Sequence, residues 1–244
     1  AMETAFIKGK TEFVQNTFEG CTNLISVKFT NTIRELPSYM FQNCEKLQTV
    51  QFPNNIKTLG SYIFRGCKLL CDVTIPDTVT TIGGNAFANC TSLHAIEIPK
   101  GVTEIASGTF YGCETLSDVS IPESVKTIGS SAFTSCTSIT RIKLPMQMSK
   151  IDSGTFSQCS SLRKIALPEG LASIEGSTFW KCVSLQEIYI PATVKTVGGS
   201  AFYACKSLNK VYFGGSEDLW NQVVIVVLRV EAAQPFVKQI LRQP

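Results

Sequence analysis

The chain has 244 residues, of which 44% are hydrophobic and 17% are charged, and this is the composition of a folded protein and not of a disordered one. Its 22 basic and 19 acidic residues give a formal net charge of +3, which is too small to indicate binding to nucleic acid or to an anionic membrane. The longest wholly apolar run covers residues 223–228. A membrane-spanning helix needs roughly 20 apolar residues, so we expect no membrane insertion.

A cysteine recurs every 23 residues along most of the chain, and only Cys71 is out of register. A phenylalanine stands three residues before each regularly spaced cysteine, and a leucine or isoleucine stands three residues after it. A constant period of this length is typical of a solenoid, in which each unit buries its apolar side chains against the next one. The cysteines in register are Cys21, Cys44, Cys67, Cys90, Cys113, Cys136, Cys159, Cys182 and Cys205.

The first residues fit this period poorly. Lys10 stands where a core valine recurs, Thr30 stands where a proline recurs, and Phe13 is the only upstream apolar match. We therefore interpret residues 1–17 as an irregular N-terminal segment that caps the array. The opening sequence, AMETAFIKGK, lacks the apolar stretch of a signal peptide, which leaves a cytosolic chain and a fragment of a longer precursor as alternatives.

Each unit predicts the same short elements in the same order. Residues 84–90, GNAFANC, are expected to form one helical or 3₁₀ turn that points the phenylalanine and the cysteine inward. The alternating residues 96–98 indicate a strand with one buried face, which a proline ends. A second short stretch, such as residues 79–83, ends in a glycine. The recurring glycines Gly60, Gly83, Gly129 and Gly198 are expected to adopt a positive φ in a turn.

Stacking predicts a continuous spine of phenylalanines and a parallel β-sheet that grows along the long axis. The nine equivalent cysteines are expected to be buried, reduced thiols, because a packed thiol is a good small hydrophobe. Disulfides between neighbouring turns stay an alternative, since strands lie about 4.8 Å apart. An odd number of equivalent thiols cannot all pair, which favours the reduced state.

Cys90 and His94 stand four residues apart and are therefore a candidate active site. A reactive cysteine needs its own electropositive environment, and nine copies in equivalent positions favour a structural role for Cys90. The remaining ligands of a zinc site are missing, and no nucleophile elbow, P-loop or dinucleotide fingerprint occurs. We therefore predict a protein that is not an enzyme and has no metal or cofactor.

The sequence IPDTVTTIGGNAFANCTSLHAIEIP, residues 75–99, closely resembles the BspA-type leucine-rich repeat. The resemblance covers about residues 18–213 and implies a leucine-rich-repeat solenoid of about nine 23-residue repeats, a β-rich member of the α/β repeat class that forms a single curved body. It further implies an extracellular or cell-surface protein of a host-associated bacterium, with a role in adhesion to host or microbial partners.

Residues 214–244 depart from the repeat. GGSEDLW, residues 214–220, is similar to a segment that often ends such arrays. Residues 223–230 are expected to add a last strand at the open end of the sheet. Phe236, Val237, Ile240 and Leu241 have helical spacing and are expected to cover that end as an amphipathic turn. The alternatives are a C-terminal capping segment and a tail foreign to the array.

Two columns of outward residues follow each cysteine by five and seven positions and are the candidate binding surface. Acidic residues occupy the first half of these columns, namely Asp72, Glu97 and Asp118. Basic and aromatic residues occupy the second half and its edge, and this composition favours binding. The candidate ligand-binding residues are Arg141, Lys143, Arg163, Lys164, Tyr189 and Tyr212.

Two functions follow from these observations. The first is a non-catalytic interaction or adhesion module that binds a protein or glycan partner through the strand face. The second is a passive spacer within a larger surface protein, in which the sorting of charges has no role. In either case we expect a monomer.

Overall fold

The computed structural model describes residues 3–8, 13–30 and 33–225, and the backbone of residues 240–241. They form a parallel β-solenoid of about nine turns, as the sequence predicts, and the described residues contain almost no helix. We number the turns from the residue five positions before each repeat cysteine, because that residue has a positive φ in every turn. Turn 1 begins at Asn16, turn 4 at Asn85 and turn 9 at Ser200.

The strands are two to four residues long. The first nine are β1 (Thr4–Ile7), β2 (Ser26–Phe29), β3 (Glu35–Leu36), β4 (Thr49–Gln51), β5 (Thr58–Leu59), β6 (Thr81–Ile82), β7 (Ala95–Glu97), β8 (Glu104–Ile105) and β9 (Asp118–Ser120). The others are β10 (Thr127–Ile128), β11 (Lys150–Ile151), β12 (Lys164–Ala166), β13 (Ser173–Ile174), β14 (Glu187–Ile190), β15 (Thr196–Val197), β16 (Lys210–Phe213), β17 (Val224–Ile225) and β18 (Ile240–Leu241). The described helix, α1, spans Glu217–Trp220.

These strands form two walls of the solenoid. The front wall contains β1, β2, β4, β7, β9, β12, β14, β16 and β18, and the second wall contains the other strands. Paired strands are parallel, and most partners are 23 residues apart, as Tyr189 and Tyr212 are in β14 and β16. Both walls are interrupted, so the expected continuous sheet is divided into six shorter ones.

The core is the predicted phenylalanine spine with aliphatic side chains beside it. Successive rings stack with centroids 5.3–5.7 Å apart from Phe18 to Phe202. The seven phenylalanines from Phe41 to Phe179 are fully buried. One turn cannot bury such a ring alone, because the two faces of each ring are covered by the turns before and after it.

The predicted helical or 3₁₀ turn before each cysteine is wrong. In turn 4 the Ala88 amide donates to the Asn85 carbonyl (3.2 Å) and the Cys90 amide donates to the Phe87 carbonyl (3.1 Å), which gives two consecutive β-turns. Asn85 and Asn89 have φ values of 54° and 59°. A left-handed residue cannot continue a right-handed helix, so the chain reverses twice and points both Phe87 and Cys90 into the core.

The expected positive φ at Gly60, Gly83, Gly129 and Gly198 is also wrong, since none of the four is left-handed. These glycines mark a close approach of two turns. A Cβ atom at Gly129 would lie 2.6 Å from the backbone nitrogen of Ser107 in the preceding turn, which is too close for a carbon atom. Glycine is therefore needed there because it lacks a side chain, and its conformational freedom is not used.

All ten cysteines are free thiols, and eight of the nine repeat cysteines are buried. From turn 2 onward each repeat Sγ–H donates to the carbonyl of the phenylalanine 26 residues earlier, as Cys113 does to Phe87 at 3.1 Å. Burial raises the pKa of Cys113 and Cys159 to about 12. The prediction of packed, reduced thiols is confirmed for these eight cysteines, whereas Cys21 is exposed.

At the N-terminal end β1 adds a strand to the front wall beside β2. Phe13 is partly buried and meets Phe29 edge-on at 6.2 Å between ring centroids. Lys10, which stands where a core valine recurs, lies outside the described residues.

At the C-terminal end β17 pairs with β15 and β18 pairs with β16, so the described parts of the tail extend both walls. Of the strand predicted over residues 223–230, Val223 is outside β17, and residues 226–230 lie outside the described residues. The helical turn predicted for Ile240 and Leu241 is wrong, because their backbone forms β18. Phe236 and Val237 lie outside the described residues.

Candidate interaction surface on the strand face

The strand face is the set of outward side chains on the front wall. The alternation of each strand places an aliphatic residue inward and its two neighbours outward, as in β12, where Ile165 is buried between exposed Lys164 and Ala166. Because partners are in register, equivalent side chains form columns along the axis. The structure thus confirms that the residues five and seven positions after each cysteine share one face.

The basic part of the strand face contains three unpaired cations. Arg141, Lys143 and Arg163 are exposed, and none of them has an ion-pair partner among the residues that the structure describes. Arg141 lies opposite Lys164 in an isolated parallel bridge, so turns 6 and 7 place their charges side by side. We call Arg141, Lys143 and Arg163 the basic patch.

Lys164 differs from these three residues because it forms an ion pair. Its Nζ lies 3.1 Å from Glu187 Oε2, and Lys210 Nζ lies 2.8 Å from Glu187 Oε1. The hydrogen bonds from Lys210 and then Lys164 lower the pKa of Glu187. One carboxylate on turn 8 thus links cations on turns 7 and 9, and the sequence alone does not show this pairing, because it depends on the reach of three side chains.

The two candidate tyrosines lie side by side on turns 8 and 9 and are half-buried. The Tyr189 hydroxyl donates to Glu169 Oε1 at 3.1 Å. Burial, and then this hydrogen bond, raise the pKa of Tyr189. Tyr189 also packs against the loop after β16, where a Cβ atom at Gly214 would lie 2.5 Å from its hydroxyl oxygen. Tyr189 is therefore held in place, as a rigid contact residue should be.

The acidic residues Asp72, Glu97 and Asp118 are exposed on turns 3, 4 and 5 and have no ion-pair partner in the described part of the chain. Asp118 and Arg141 occupy equivalent positions of adjacent turns, yet no salt bridge joins them. The front wall is interrupted between these two turns. The acidic and basic residues therefore form two separate blocks on one face.

Sequence reasoning missed Phe6, which is 63% exposed on β1 and lies opposite Lys28 on the strand face. Phe6 precedes Lys28 by 22 residues, so a search at a strict spacing of 23 does not find it. The alternating pattern of TAFI, with Ala5 and Ile7 buried, was the signal that could have located this strand.

The described residues do not bring Cys90 and His94 together as a reactive pair, and they form no metal-binding cluster. Cys90 is fully buried whereas His94 is exposed, so the thiol of this pair is not accessible. No group of three or more histidine, cysteine, aspartate or glutamate side chains is placed to hold a metal ion in the described ranges. Within the same ranges, no helix is long and apolar enough to span a bilayer.

The fold and its outward columns define the chain as a leucine-rich-repeat solenoid, a class that generally mediates protein interactions. The profile of the BspA-type leucine-rich repeat region matches residues 4–115 and 80–209, in six copies. The chain belongs to the BspA-type leucine-rich repeat family. Proteins of this family are typically bacterial surface proteins, and the fold is typically non-enzymatic. No curated protein is significantly similar to the chain.

Among solved structures, a leucine-rich repeat protein from Bacteroides ovatus is 27% identical, with a TM-score of 0.73 over 92% of this chain and 69% of that one. A leucine-rich cell surface protein from Faecalibacterium prausnitzii is 23% identical, with a TM-score of 0.49 over 91% of this chain and 90% of that one. A leucine-rich repeat protein from T. pallidum is 21% identical, with a TM-score of 0.47 over 91% and 82%. The first of these supports the solenoid fold.

Proposed function

We propose that the protein is a non-catalytic interaction module of a secreted or cell-surface protein, which binds an acidic protein partner through the strand face. The observation that carries the proposal is the basic patch. Its three exposed cations lie on adjacent turns, where neighbouring strands are about 4.8 Å apart, so their potentials add. A surface that served only solubility would pair such cations with neighbouring carboxylates, as Lys164 is paired.

The tyrosines extend this surface toward the C-terminal end. Tyr189 is fixed by Glu169 and by the loop at Gly214, so little side-chain entropy is lost when a partner covers it. We assign attraction and encounter to Arg141, Lys143 and Arg163, and lasting contact to Tyr189 and Tyr212. Lys164 is a secondary contributor, because a partner would have to displace Glu187 to reach it.

The test is binding of the protein to a panel of host matrix proteins, microbial surface proteins and acidic glycans, followed by kinetics on any ligand found. The variant Arg141→Glu/Arg163→Glu should lower the association rate by about tenfold or more, with a smaller effect at high salt, because exposed charges are screened over about 8 Å at physiological ionic strength. The matched control is Lys57→Glu/Lys126→Glu, which changes the net charge equally through exposed lysines beside the second wall.

A second variant, Tyr189→Ala/Tyr212→Ala, should raise the dissociation rate more than it lowers the association rate. The assignment is wrong if a ligand is found that both variants bind normally while changes at Asp72, Glu97 and Asp118 weaken binding. A ligand found only among acidic glycans would retain the surface and change the partner class. Absence of any ligand would support the alternative function, a passive spacer.

A further inference from the structure

At one junction of the array, both walls lose their strand pairing. This junction lies between turn 3 (residues 62–84) and turn 4 (residues 85–107). In the front wall Asp72 has a bridge to Thr49 of turn 2, and β7 pairs with β9 of turn 5, but nothing joins Asp72 to β7. In the second wall β6 pairs with β5 and β8 pairs with β10, but β6 and β8 do not pair. Every other junction between turns 1 and 9 keeps at least one wall.

The hydrogen bonds show the same gap. Between turns 4 and 5, the amides of Ser117, Lys126 and Gly129 donate to turn 4 at 2.8–2.9 Å. The equivalent amides one turn earlier belong to His94, Thr103 and Ala106, and none of them donates to a residue of turn 3 in the fully described stretch 51–225.

The phenylalanine spine is disturbed at the same junction. Phe64 and Phe87, on turns 3 and 4, are inclined at 24° to each other. The other stacked pairs of the spine are inclined at 3° to 16°. The ring packing and the hydrogen bonding thus change at the same junction. The junctions one turn before it and one turn after it are regular.

The sequence supplies a cause in the second wall. Gly60, Gly83, Gly129 and Gly198 each follow a strand that pairs with the preceding turn. At Gly129 the backbones approach so closely that a Cβ atom would lie 2.6 Å from a backbone nitrogen. A side chain at this position would therefore hold the two backbones apart.

Turns 4, 6 and 7 have another residue at this position, and two of the three lose the pairing. Ala106 follows β8 and Glu175 follows β13, and neither strand pairs with the turn before it. Asp152 is the exception, since its amide still donates to the Ile128 carbonyl at 2.9 Å. One side-chain hydrogen bond to the preceding turn is also missing from turn 4. The hydroxyls of Thr78 and Ser124 donate to the preceding turn, whereas Gly101, at the equivalent position of turn 4, has no hydroxyl.

Contacts in the β-turns and in the segment between them and the front wall keep turns 3 and 4 together. The Phe64 and Gly66 amides each donate to turn 4 at 2.8 Å, and the Ser92 amide donates to the Lys68 carbonyl at 3.0 Å. The Cys90 thiol donates to the Phe64 carbonyl at 3.2 Å. The junction is therefore closed along the β-turns and open along both walls.

We propose that this junction is a built-in hinge, at which the array flexes by opening the walls while the β-turns stay in contact. The hinge separates turns 1–3 from turns 4–9, so Asp72 moves relative to Glu97, whereas the basic patch and both tyrosines lie on one rigid side. Flexing changes the shape that the acidic block presents to a partner and leaves the basic patch unchanged. The hinge does not depend on the proposed function.

The first experiment is residue-resolved amide hydrogen exchange. The His94, Thr103 and Ala106 amides should exchange about tenfold or more faster than the Ser117, Lys126 and Gly129 amides, since exchange reports local opening. Ala106→Gly should slow exchange at residues 103 and 106 by allowing the second wall to pair. The matched control, Gly129→Ala, should accelerate exchange at residues 126 and 129.

Slower exchange after Ala106→Gly is a demanding result, because glycine by itself loosens a chain. Equal protection of the two sets of amides in the unmodified protein would overturn the hinge. So would an Ala106→Gly variant that is folded and unchanged in its exchange. If that variant does not fold, the Gly129→Ala comparison and the experiment below still decide the question.

The second experiment closes the front wall covalently. Cys71 and His94 occupy equivalent positions of turns 3 and 4, so Cys21→Ser/His94→Cys allows a disulfide across the junction without a competing exposed thiol. If both walls open about the β-turns as one hinge, the disulfide should slow exchange at residues 103 and 106 in the second wall. Unchanged exchange there in the oxidised protein would show independent fraying of each wall and would refute the hinge.

Discussion

Removal of one ring from the centre of the spine is the most direct test of how the array is stabilised. Phe110 is fully buried between Phe87, at 5.7 Å and 9°, and Phe133, at 5.3 Å and 16°. Phe110→Ala should lower the free energy of unfolding by about 3–5 kcal/mol, because apolar burial is lost and a cavity remains. The two ring contacts, at about 0.5–1.5 kcal/mol each, are part of this loss.

The assay is urea unfolding followed by far-ultraviolet circular dichroism and by hydrogen exchange. The matched control is Phe18→Ala, at a ring that is only partly buried and stacks in the described chain on Phe41 alone. It should cost less than Phe110→Ala. Because each turn contacts its neighbours, exchange should accelerate most in turns 4 to 6. A denaturation curve for Phe110→Ala that equals the curve of the unmodified protein would refute the spine as the source of stability.

Three further predictions follow from the thiols and from the left-handed residues. Titration of the native protein without reductant should detect mainly Cys21 and Cys71, and nearly all ten thiols after unfolding; unreactive thiols in the unfolded chain would indicate disulfides. The free energy of unfolding should keep its maximum below about pH 8.5 and should fall as the pH rises toward 12. The reason is that thiols of the unfolded chain ionise in this range, whereas burial raises the pKa of Cys113 and Cys159 to about 12. Each buried thiol should contribute about 1.4 kcal/mol per pH unit there, so Cys113→Ala should show a shallower pH dependence than the unmodified protein, and an equal slope would contradict the assignment. Ala204→Gly should stabilise the protein by roughly 0.5–1 kcal/mol in urea unfolding, because Ala204 has a φ of 58°; a destabilised variant would show that relief of strain does not outweigh lost backbone order.

The position of the candidate surface was predictable from the sequence, whereas the ion pairing of its charged residues was only partly predictable. Alternation and the 23-residue period placed Arg141 and Lys143 on one exposed face, with Arg163 at its edge, because both properties are read directly from the order of residues. The pairing of Lys164 with Glu187 was not predictable, since it depends on the side-chain reach between two strands in register. Phe6 was missed for a related reason, since the first spacing of the front wall is 22 residues and only strand pairing reveals it.

The local turn chemistry was also predicted incompletely. Glycine has two uses in proteins, a positive φ and a close approach of backbones, and a single sequence does not separate them. At Gly129 the second use applies, and the left-handed positions two residues later hold Asn85, Gly108 or Ser131 in successive turns. Because these residues share no obvious pattern, the reversal of the chain was mistaken for a helical turn.

The solenoid, its period, the phenylalanine spine and the burial of eight repeat thiols follow from the amino-acid pattern alone. These properties are set by the recurrence of apolar residues, because a single turn has no other way to bury them than against its neighbours. Three features are seen only in the folded chain: which turns pair, which charged side chains form ion pairs, and where both walls lose their strand pairing. Those outcomes depend on how closely the backbones of adjacent turns approach, as they do at Gly129, and this approach is fixed only when the turns are stacked.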